Sequence, residues 1–125
     1  MGEDKDNTVL ESDKGQTFQE YMKRAITPLF VLQLLNEQNM YAYQMTQELK
    51  KRSGGRYHVY PYPTIRRLLR EGHVEEYEKM ISGNRVRNYY SITPSGKLYL
   101  KALEEEYKQM HDIVCQIMHY SGGTK

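Results

Sequence analysis

The sequence predicts a mostly α-helical protein with one small β-hairpin and a long final helix. The first observation is helical spacing, because apolar residues recur every three or four positions over most of the chain. The second is a change of pattern after Gly72, where two short runs surround the turn-forming residues Ser82, Gly83 and Asn84. The third is the return of helical spacing over residues 94–120. Together these predict three helices, a hairpin and a terminal helix.

Length and composition indicate one small domain with attachments. The chain has 125 residues, 38% of them hydrophobic, and its single cysteine, Cys115, excludes an internal disulfide. No apolar run approaches the roughly 20 residues that cross a membrane, and the start of the chain lacks signal-peptide character. We therefore expect a cytoplasmic protein with no membrane partner. Residues 1–16 are polar and acidic and are expected to be disordered, and residues 121–125 to form a flexible tail.

The first two helices form the predicted centre of the core. From Thr17, a helical stripe of apolar residues extends to Leu35. Pro28 interrupts it, and the sequence leaves two alternatives: a kinked helix, or a new helix that starts at Thr27 with Pro28 in its first turn. After a polar connection, a second helix is expected over 42–52. Its last residues are Lys50, Lys51 and Arg52, which suit the negative end of a helix dipole.

A third, short helix is predicted from Pro63 to Glu71. Proline in the first helical turn leaves no amide unsatisfied, and Gly72 tolerates the left-handed conformation that ends many helices. The helix is amphipathic on a helical wheel. Its apolar side carries Ile65, Leu68 and Leu69, and its opposite side carries Arg66, Arg67 and Arg70. One side is expected to pack and the other to remain free for binding.

Two antiparallel strands, 73–81 and 85–92, are predicted to follow and to hold Arg85 and Arg87 near the hairpin tip. A short helix followed by such a hairpin is typical of a winged helix-turn-helix. In that fold the helix enters the major groove of DNA and the hairpin, or wing, lies along the backbone. We expect Tyr90 to be mostly buried and Tyr62 to donate its hydroxyl to a phosphate.

The charge distribution favours the same interpretation. Residues 50–92 hold ten lysines and arginines against four glutamates, whereas the first twenty residues hold six acids and two lysines. The positive field is therefore local, as expected of a surface that faces phosphates. The alternative is that these cations are simply the solvated faces of an amphipathic helix and a hairpin. The predicted DNA-binding residues are Tyr62, Thr64, Arg66, Arg67, Arg70, Lys79, Arg85 and Arg87.

The terminal helix, 94–120, should begin with Thr93 as its N-cap and Pro94 in its first turn. Six residues on it recur at alternating spacings of three and four, which is a heptad seam about three repeats long. They are Leu100, Leu103, Tyr107, Met110, Val114 and Ile117. A helix that extends from a small body cannot bury such a seam alone. We therefore predict a dimerisation helix and a homodimer that binds inverted half-sites.

Other kinds of site are less well supported. His111, Cys115 and His119 are spaced at i, i+4 and i+8 and could in principle hold zinc, but a structural zinc site usually draws ligands from more than one element. No phosphate-binding loop, nucleophile elbow or HExxH motif is present, so we expect no enzyme activity, no cofactor and no metal. We also predict a cavity for a small-molecule effector between the first and last helices. Its candidate lining is Phe18, Tyr21, Met22, Tyr107 and Met110.

Three motifs resemble those of the PadR-like family of bacterial transcriptional regulators. Residues 40–45, MYAYQM, are similar to the family's M-H-G-Y-E-I. Residues 62–74 resemble its Y-P-A-L-R-R-L-E-E-E-G-L-I, which forms the recognition helix and the first wing strand. Residues 85–96, RVRNYYSITPSG, are similar to R-P-R-K-Y-Y-x-L-T-x-x-G. The three occur in the family's order and spacing, and the resemblance extends over about 17–120.

The resemblance implies a dimeric winged helix-turn-helix with a single C-terminal dimerisation helix, which usually represses transcription until a small ligand binds. It implies recognition-helix contacts from Tyr62, Arg66 and Arg67, and wing contacts from Arg85 and Arg87. Three positions depart from the pattern: Ala42 and Asn84 stand where glycine is common, and Val86 replaces the wing proline. The chain also has no tryptophan, so a ligand class cannot be transferred. An alternative is a winged helix that senses ligands or binds proteins without binding DNA.

Overall fold

The computed structural model describes residues 17–121. The predicted disorder of residues 1–16 and most of the predicted flexible tail, residues 122–125, lie outside the described residues. Four helices and three strands make up the described chain. The helices are α1 (Phe18–Glu37), α2 (Ala42–Arg52), α3 (Tyr62–Arg70) and α4 (Pro94–Met118), and the strands are β1 (Met40–Tyr41), β2 (Val74–Ser82) and β3 (Arg85–Ile92). The fold is thus mostly helical with a small sheet and a long final helix, as predicted.

The sheet is antiparallel and has the order β1-β3-β2. The sequence predicted only β2 and β3, and β1 was missed because two residues carry no periodicity. Met40 and Tyr41 pair with Tyr90 and Tyr89 of β3, so β1 fastens the connection between α1 and α2 to the base of the wing. The wing turn is tighter than predicted, since Gly83 and Asn84 alone connect the strands and Gly83 adopts a φ of +53°.

Helix α1 continues through Pro28 without a break. This excludes the alternative in which a new helix starts at Thr27. Its start is stabilised by a capping box, in which Thr17 and Glu20 each accept a hydrogen bond from the other's backbone amide. Near the proline, the Thr27 hydroxyl lies 2.5 Å from the carbonyl of Lys23 and 2.7 Å from the hydroxyl of Tyr57. The segment between α2 and α3 is thereby tied to the middle of α1.

The hydrophobic core lies between α1, the helix-turn-helix and the inner face of the sheet. Helix α1 contributes the largest share, and Tyr90 is 3% exposed, as predicted. Helix α4 contributes Leu100 from its first turns. The buried cluster is Val31, Leu32, Leu34, Leu35, Met40, Met45, Leu49, Ile65, Leu68, Val74, Tyr90 and Leu100.

Helix α4 begins as predicted, because the Thr93 side chain accepts a hydrogen bond from the amide of Gly96 at 3.0 Å and Pro94 follows the cap. It ends at Met118, two residues earlier than predicted, where His119 takes the left-handed conformation (φ 62°) as the C-cap. Within residues 17–121, no helix is both long and apolar enough to cross a membrane.

Candidate nucleic-acid interface

Helix α3 presents a cationic face because its apolar face is used by the core. Ile65 and Leu68 are fully buried, which fixes the rotation of the helix about its axis. Arg66 and Arg70 lie on the opposite side and are exposed. Helix α3 therefore holds two arginines towards solvent on a surface whose orientation is set by packing.

Aromatic side chains surround the N-terminus of α3. Tyr60 is 72% exposed, and its ring lies 6.1 Å from that of Tyr62. The guanidinium of Arg66 lies 5.8 Å from the Tyr62 ring, within the range of a cation–π contact. Thr64 and Tyr62 are half-buried, so both retain solvent-facing atoms. The predicted phosphate contact of the Tyr62 hydroxyl remains a prediction.

Tyr90 of β3 lies near this tyrosine cluster, since Tyr60 and Tyr62 both affect its ionisation. Its burial, with smaller contributions from Glu76 and from Tyr62 and Tyr60, raises the pKa of the Tyr90 phenol to about 12. Phenolate formation is thus disfavoured in the folded protein. Tyr90 therefore remains neutral at physiological pH and acts as a packing residue in the core.

Arg67 is half-buried and has side-chain partners within the protein, whereas Arg66 and Arg70 are exposed. One of its terminal nitrogens donates a hydrogen bond to the hydroxyl of Tyr99 in α4 at 3.0 Å. Its Nε lies 3.2 Å from a carboxylate oxygen of Glu71. This position differs from the groove-facing one that the sequence predicted. The helical wheel places Arg67 on the cationic side, but it contains no information about a tyrosine 32 residues further along the chain.

On the outer face of the sheet, cationic side chains of the wing lie over tyrosine rings. In the strand register, Lys79 lies directly opposite Arg87, and Tyr77 lies opposite Tyr89. The Lys79 ammonium is 5.0 Å from the Tyr89 ring, and the Arg87 guanidinium is 4.0 Å from the Tyr41 ring. Sequence reasoning missed this support, although the alternation of Tyr77 with Lys79 and of Arg87 with Tyr89 is visible in the strands.

Like charges that face each other across two strands repel one another, so the Lys79 and Arg87 pair favours an anionic partner. Among residues 17–121, no carboxylate forms an ion pair with Lys79, Arg85 or Arg87. Arg85 is exposed beside the turn. The wing can therefore offer three cationic groups to phosphate oxygens. Its charge is positive, as is that of the exposed face of α3.

The predicted dimerisation seam divides into two parts in the structure. Leu100 is 6% exposed, and Leu103 is half-buried against the same core, so both pack inside the protomer rather than facing outwards. The later seam residues are exposed: Tyr107 by 48%, Met110 by 57%, Val114 by 39% and Ile117 by 70%. The first turns of α4 thus pack against the core of the same protomer, which the heptad spacing alone did not indicate.

The five predicted ligand residues are all exposed in the single chain. They line neither of two recesses in the winged-helix body, of about 620 and 370 Å³, which lie on either side of Tyr57. Phe18, Tyr21 and Met22 are instead exposed on the first turns of α1, and Tyr107 and Met110 are exposed on α4. An enclosed effector cavity at this place would need a second copy to cover it.

The possible zinc ligands do not assemble into a metal site. The Nε2 atom of His111 lies 3.7 Å from the Cys115 sulfur. His119, however, is the C-cap residue and has a left-handed rather than a helical backbone conformation. Among residues 17–121, no group of three or more histidine, cysteine or acidic side chains is arranged to hold a metal ion.

Comparison with known proteins places this arrangement in a family. Residues 31–102 match the family described as "Transcriptional regulator PadR-like family". An uncharacterised protein of Lysinibacillus sphaericus is 30% identical over 87 residues, which cover 67% of this chain and 80% of that protein.

Two solved structures share the fold. A transcriptional regulator from Clostridium thermocellum is 24% identical and superimposes with a TM-score of 0.71 over 76% of this chain and 95% of its own. A PadR-like transcriptional regulator from Bacillus cereus is 20% identical, with a TM-score of 0.68 over 81% of this chain and 99% of its own. With the winged helix and the family match together, the chain belongs to the PadR-like family, whose members are transcriptional regulators and not enzymes.

Proposed function

We propose that the protein is a ligand-responsive repressor that binds a palindromic operator as a homodimer. The observation that carries the proposal is the pairing of a cationic recognition helix with a cationic wing. Arg66 and Arg70 are exposed on α3, and Lys79, Arg85 and Arg87 carry no acidic partner among the described residues. Family membership supports DNA as the partner, since PadR-like proteins are transcriptional regulators.

The two cationic groups are expected to act differently. Arg66 and Arg70 extend from a helix of a size that fits the major groove, where a bidentate arginine contact to guanine is worth roughly 1 to 3 kcal/mol of discrimination. The wing cations should mainly bind phosphates, which position the protein but carry no sequence information. Removing Arg85 should therefore lower the salt dependence of binding by about one counterion without changing the preferred sequence.

The exposed apolar surface of α4 supports the homodimer. Tyr107, Met110, Val114 and Ile117 recur at helical spacing, and all four are exposed within the described chain. A second copy would bury the same residues against each other in a symmetric arrangement. Two recognition helices would then be related by a twofold axis, and inverted half-sites match that symmetry.

Ligand response would follow from the position of Phe18, Tyr21 and Met22. They lie exposed at the start of α1. When two copies associate, these residues, Tyr107 and Met110 would line a cleft between the copies. A small apolar molecule that binds there would change the relative orientation of the two protomers and hence the spacing of the recognition helices.

The test is binding to the DNA directly upstream of the protein's own gene, measured at several salt concentrations. Tight binding that weakens steeply with salt is expected. In the variant Arg66→Ala/Arg70→Ala, sequence-preferring binding should disappear. The matched control, Arg24→Ala/Lys101→Ala, removes the same charge from exposed positions of α1 and α4 and should bind nearly as wild type.

Failure of the wild-type dimer to prefer any sequence would contradict the operator proposal and favour the ligand-sensing or protein-binding alternative. Equal losses in the two double variants would show that only total charge matters. In that case, the recognition helix would not be the specific contact surface.

A further inference from the structure

Arg67 occupies an unusual place for a cation on a recognition helix. It bonds Tyr99 of α4 at 3.0 Å, and its Nε is buried with no hydrogen-bond partner among residues 17–121, although Glu71 lies 3.2 Å away as an ion pair. A buried guanidinium nitrogen without a full set of acceptors is costly. The hydrogen bond to Tyr99 directs the guanidinium towards α4, and Arg67 would lose this bond if it turned towards a base edge.

Tyr99 is itself firmly held. Its ring stacks on that of His73 with a centroid distance of 4.3 Å and an interplanar angle of 15°. A ring nitrogen of His73 lies 2.8 Å from the Ser95 hydroxyl in the first turn of α4. The same histidine directly follows Gly72, which has a φ of +80° after the end of α3. Tyr99 therefore sits on a surface formed by the chain that leaves α3.

The backbone contacts between these segments are equally close. The Thr93 hydroxyl donates a hydrogen bond to the carbonyl of Gly72 at 2.8 Å, and the Thr93 amide donates to the carbonyl of His73 at 3.1 Å. A Cβ atom on Gly96 would overlap the His73 carbonyl oxygen and lie 2.7 Å from Cγ1 of Ile92. We call this contact, formed by residues 67, 71–73, 93–96 and 99, the α3–α4 joint.

The joint connects the end of the recognition helix to the start of the helix that carries the exposed apolar surface. From Tyr99 to the middle of that surface, near residue 112, α4 extends about 20 Å at 1.5 Å per residue. A rotation of about 10° at the joint would displace the recognition helix by about 3.5 Å relative to the dimer seam. That displacement is close to the rise of one base pair, about 34 Å for 10 base pairs.

We propose that Tyr99 is a positioning residue and that its bond to Arg67 sets the spacing between half-sites that the dimer accepts. Arg67 then acts through the orientation of α3 rather than by contacting bases. This assignment separates Arg67 from Arg66, which lies next to it in the sequence but is exposed, with its guanidinium 5.8 Å from the Tyr62 ring. The inference rests on the proposed function, because spacing has meaning only for a dimer on DNA.

The experiment measures dissociation constants on a series of operators. One set keeps both half-sites and changes their separation by one base pair in either direction, and the other set keeps the separation and substitutes single bases. The variants are Tyr99→Phe, which keeps the stacked ring but loses the hydroxyl, Arg67→Met, and the two combined. Arg66→Ala is the contrast, and Tyr120→Phe controls for loss of a tyrosine hydroxyl from an exposed position.

Wild type should prefer one separation. In Tyr99→Phe and in Arg67→Met, the ratio between the best and the shifted separations should fall by roughly fivefold or more, since a hydrogen bond to a charged group is lost. The combined variant should fall no further than Arg67→Met, because the hydrogen bond that Tyr99→Phe removes is already absent from Arg67→Met. Base preference within a half-site should remain as in wild type. Arg66→Ala should show the opposite pattern, with weakened base preference and unchanged spacing preference.

Three results would overturn the inference. The first is a spacing ratio within twofold of wild type in both single variants, and the second is an altered base preference at a defined position in Arg67→Met, which would make Arg67 a base contact. Both leave the proposed function intact, since the wild type still binds its operator. The third is a wild-type dimer without sequence-preferring binding, which would remove the proposed function and this inference with it. Thermal melts of each variant confirm that the protein is folded.

Discussion

The winged-helix body and the second half of α4 bury their apolar residues in different ways. In the body, Ile65, Leu68 and Leu100 are buried by neighbours from the same chain. In the second half of α4, Met110 and Ile117 have the same spacing and character but are more than half exposed. Equal hydrophobic periodicity therefore has two outcomes, a core within one copy and an apolar surface that stays exposed in the single chain. Substitutions in the two regions should separate protomer stability from association.

The largest expected effect is on association. Met110→Asp/Val114→Asp places two carboxylates on the exposed apolar surface, and burying them in a seam would be strongly unfavourable. Dimerisation should weaken by roughly 100-fold or more, while the helical content of the protein remains. Sedimentation or light scattering over a concentration series measures this. Gln109→Asp/Gln116→Asp, on exposed polar positions of the same helix, is the control. A double variant that dimerises like the control would refute the seam.

The next effect concerns the α3–α4 joint. Gly96→Ala should destabilise the protomer by about 3 kcal/mol or more, because the added methyl group overlaps the backbone of His73 and neither element can move without breaking the hydrogen bonds of Thr93. Denaturant unfolding in the monomeric Met110→Asp/Val114→Asp background measures it. Stability within 1 kcal/mol of the parent would show that the joint can open at little cost.

A pair of truncations on α4 compares its two halves directly. Leu100→Ala should lower the free energy of unfolding of the protomer by about 2 to 3 kcal/mol, since it leaves a cavity in the core. Ile117→Ala, in the same monomeric background, should change it by less than about 0.5 kcal/mol, because an exposed side chain loses few contacts. In the wild-type background, Ile117→Ala should instead weaken association. Similar losses of protomer stability at both positions would remove the distinction between the two halves.

The smallest effect is a pH dependence at alkaline pH. The pKa of Tyr90 is raised from 10.0 to about 12 by burial, so its contribution to stability is complete below pH 10 and is lost as the pH rises through 12. Tyr90→Phe keeps the ring and removes the ionisable hydroxyl. Its stability should therefore decline less than that of wild type over this interval. Denaturation midpoints at successive pH values provide the measurement, with Tyr107→Phe in the exposed half as the control. Parallel curves for wild type and Tyr90→Phe would exclude the effect.

Local spacing was sufficient to predict most elements and the exposed cations. The amphipathic pattern of Tyr62–Arg70, the turn at Gly83 and the Thr93 cap each depend on residues within a few positions of one another. The same holds for Arg66 and Arg70, whose exposure follows from the burial of Ile65 and Leu68 on the other side of one helix. These features required no knowledge of what packs against them.

The sequence by itself thus determined a winged helix with a cationic recognition surface, and it identified the family through three local motifs. Only the tertiary structure decided which of the equivalent cations are free. It placed Arg67 against Tyr99, and it placed Lys79 opposite Arg87 with their cationic groups over tyrosine rings from two strands. It also divided one heptad pattern into buried and exposed halves. The cation contacts join residues 8 to 46 positions apart, and Leu100 is buried in a cluster that includes residues of α1. The physical reason is that periodicity reports which side of an element is apolar but not which distant segment meets it.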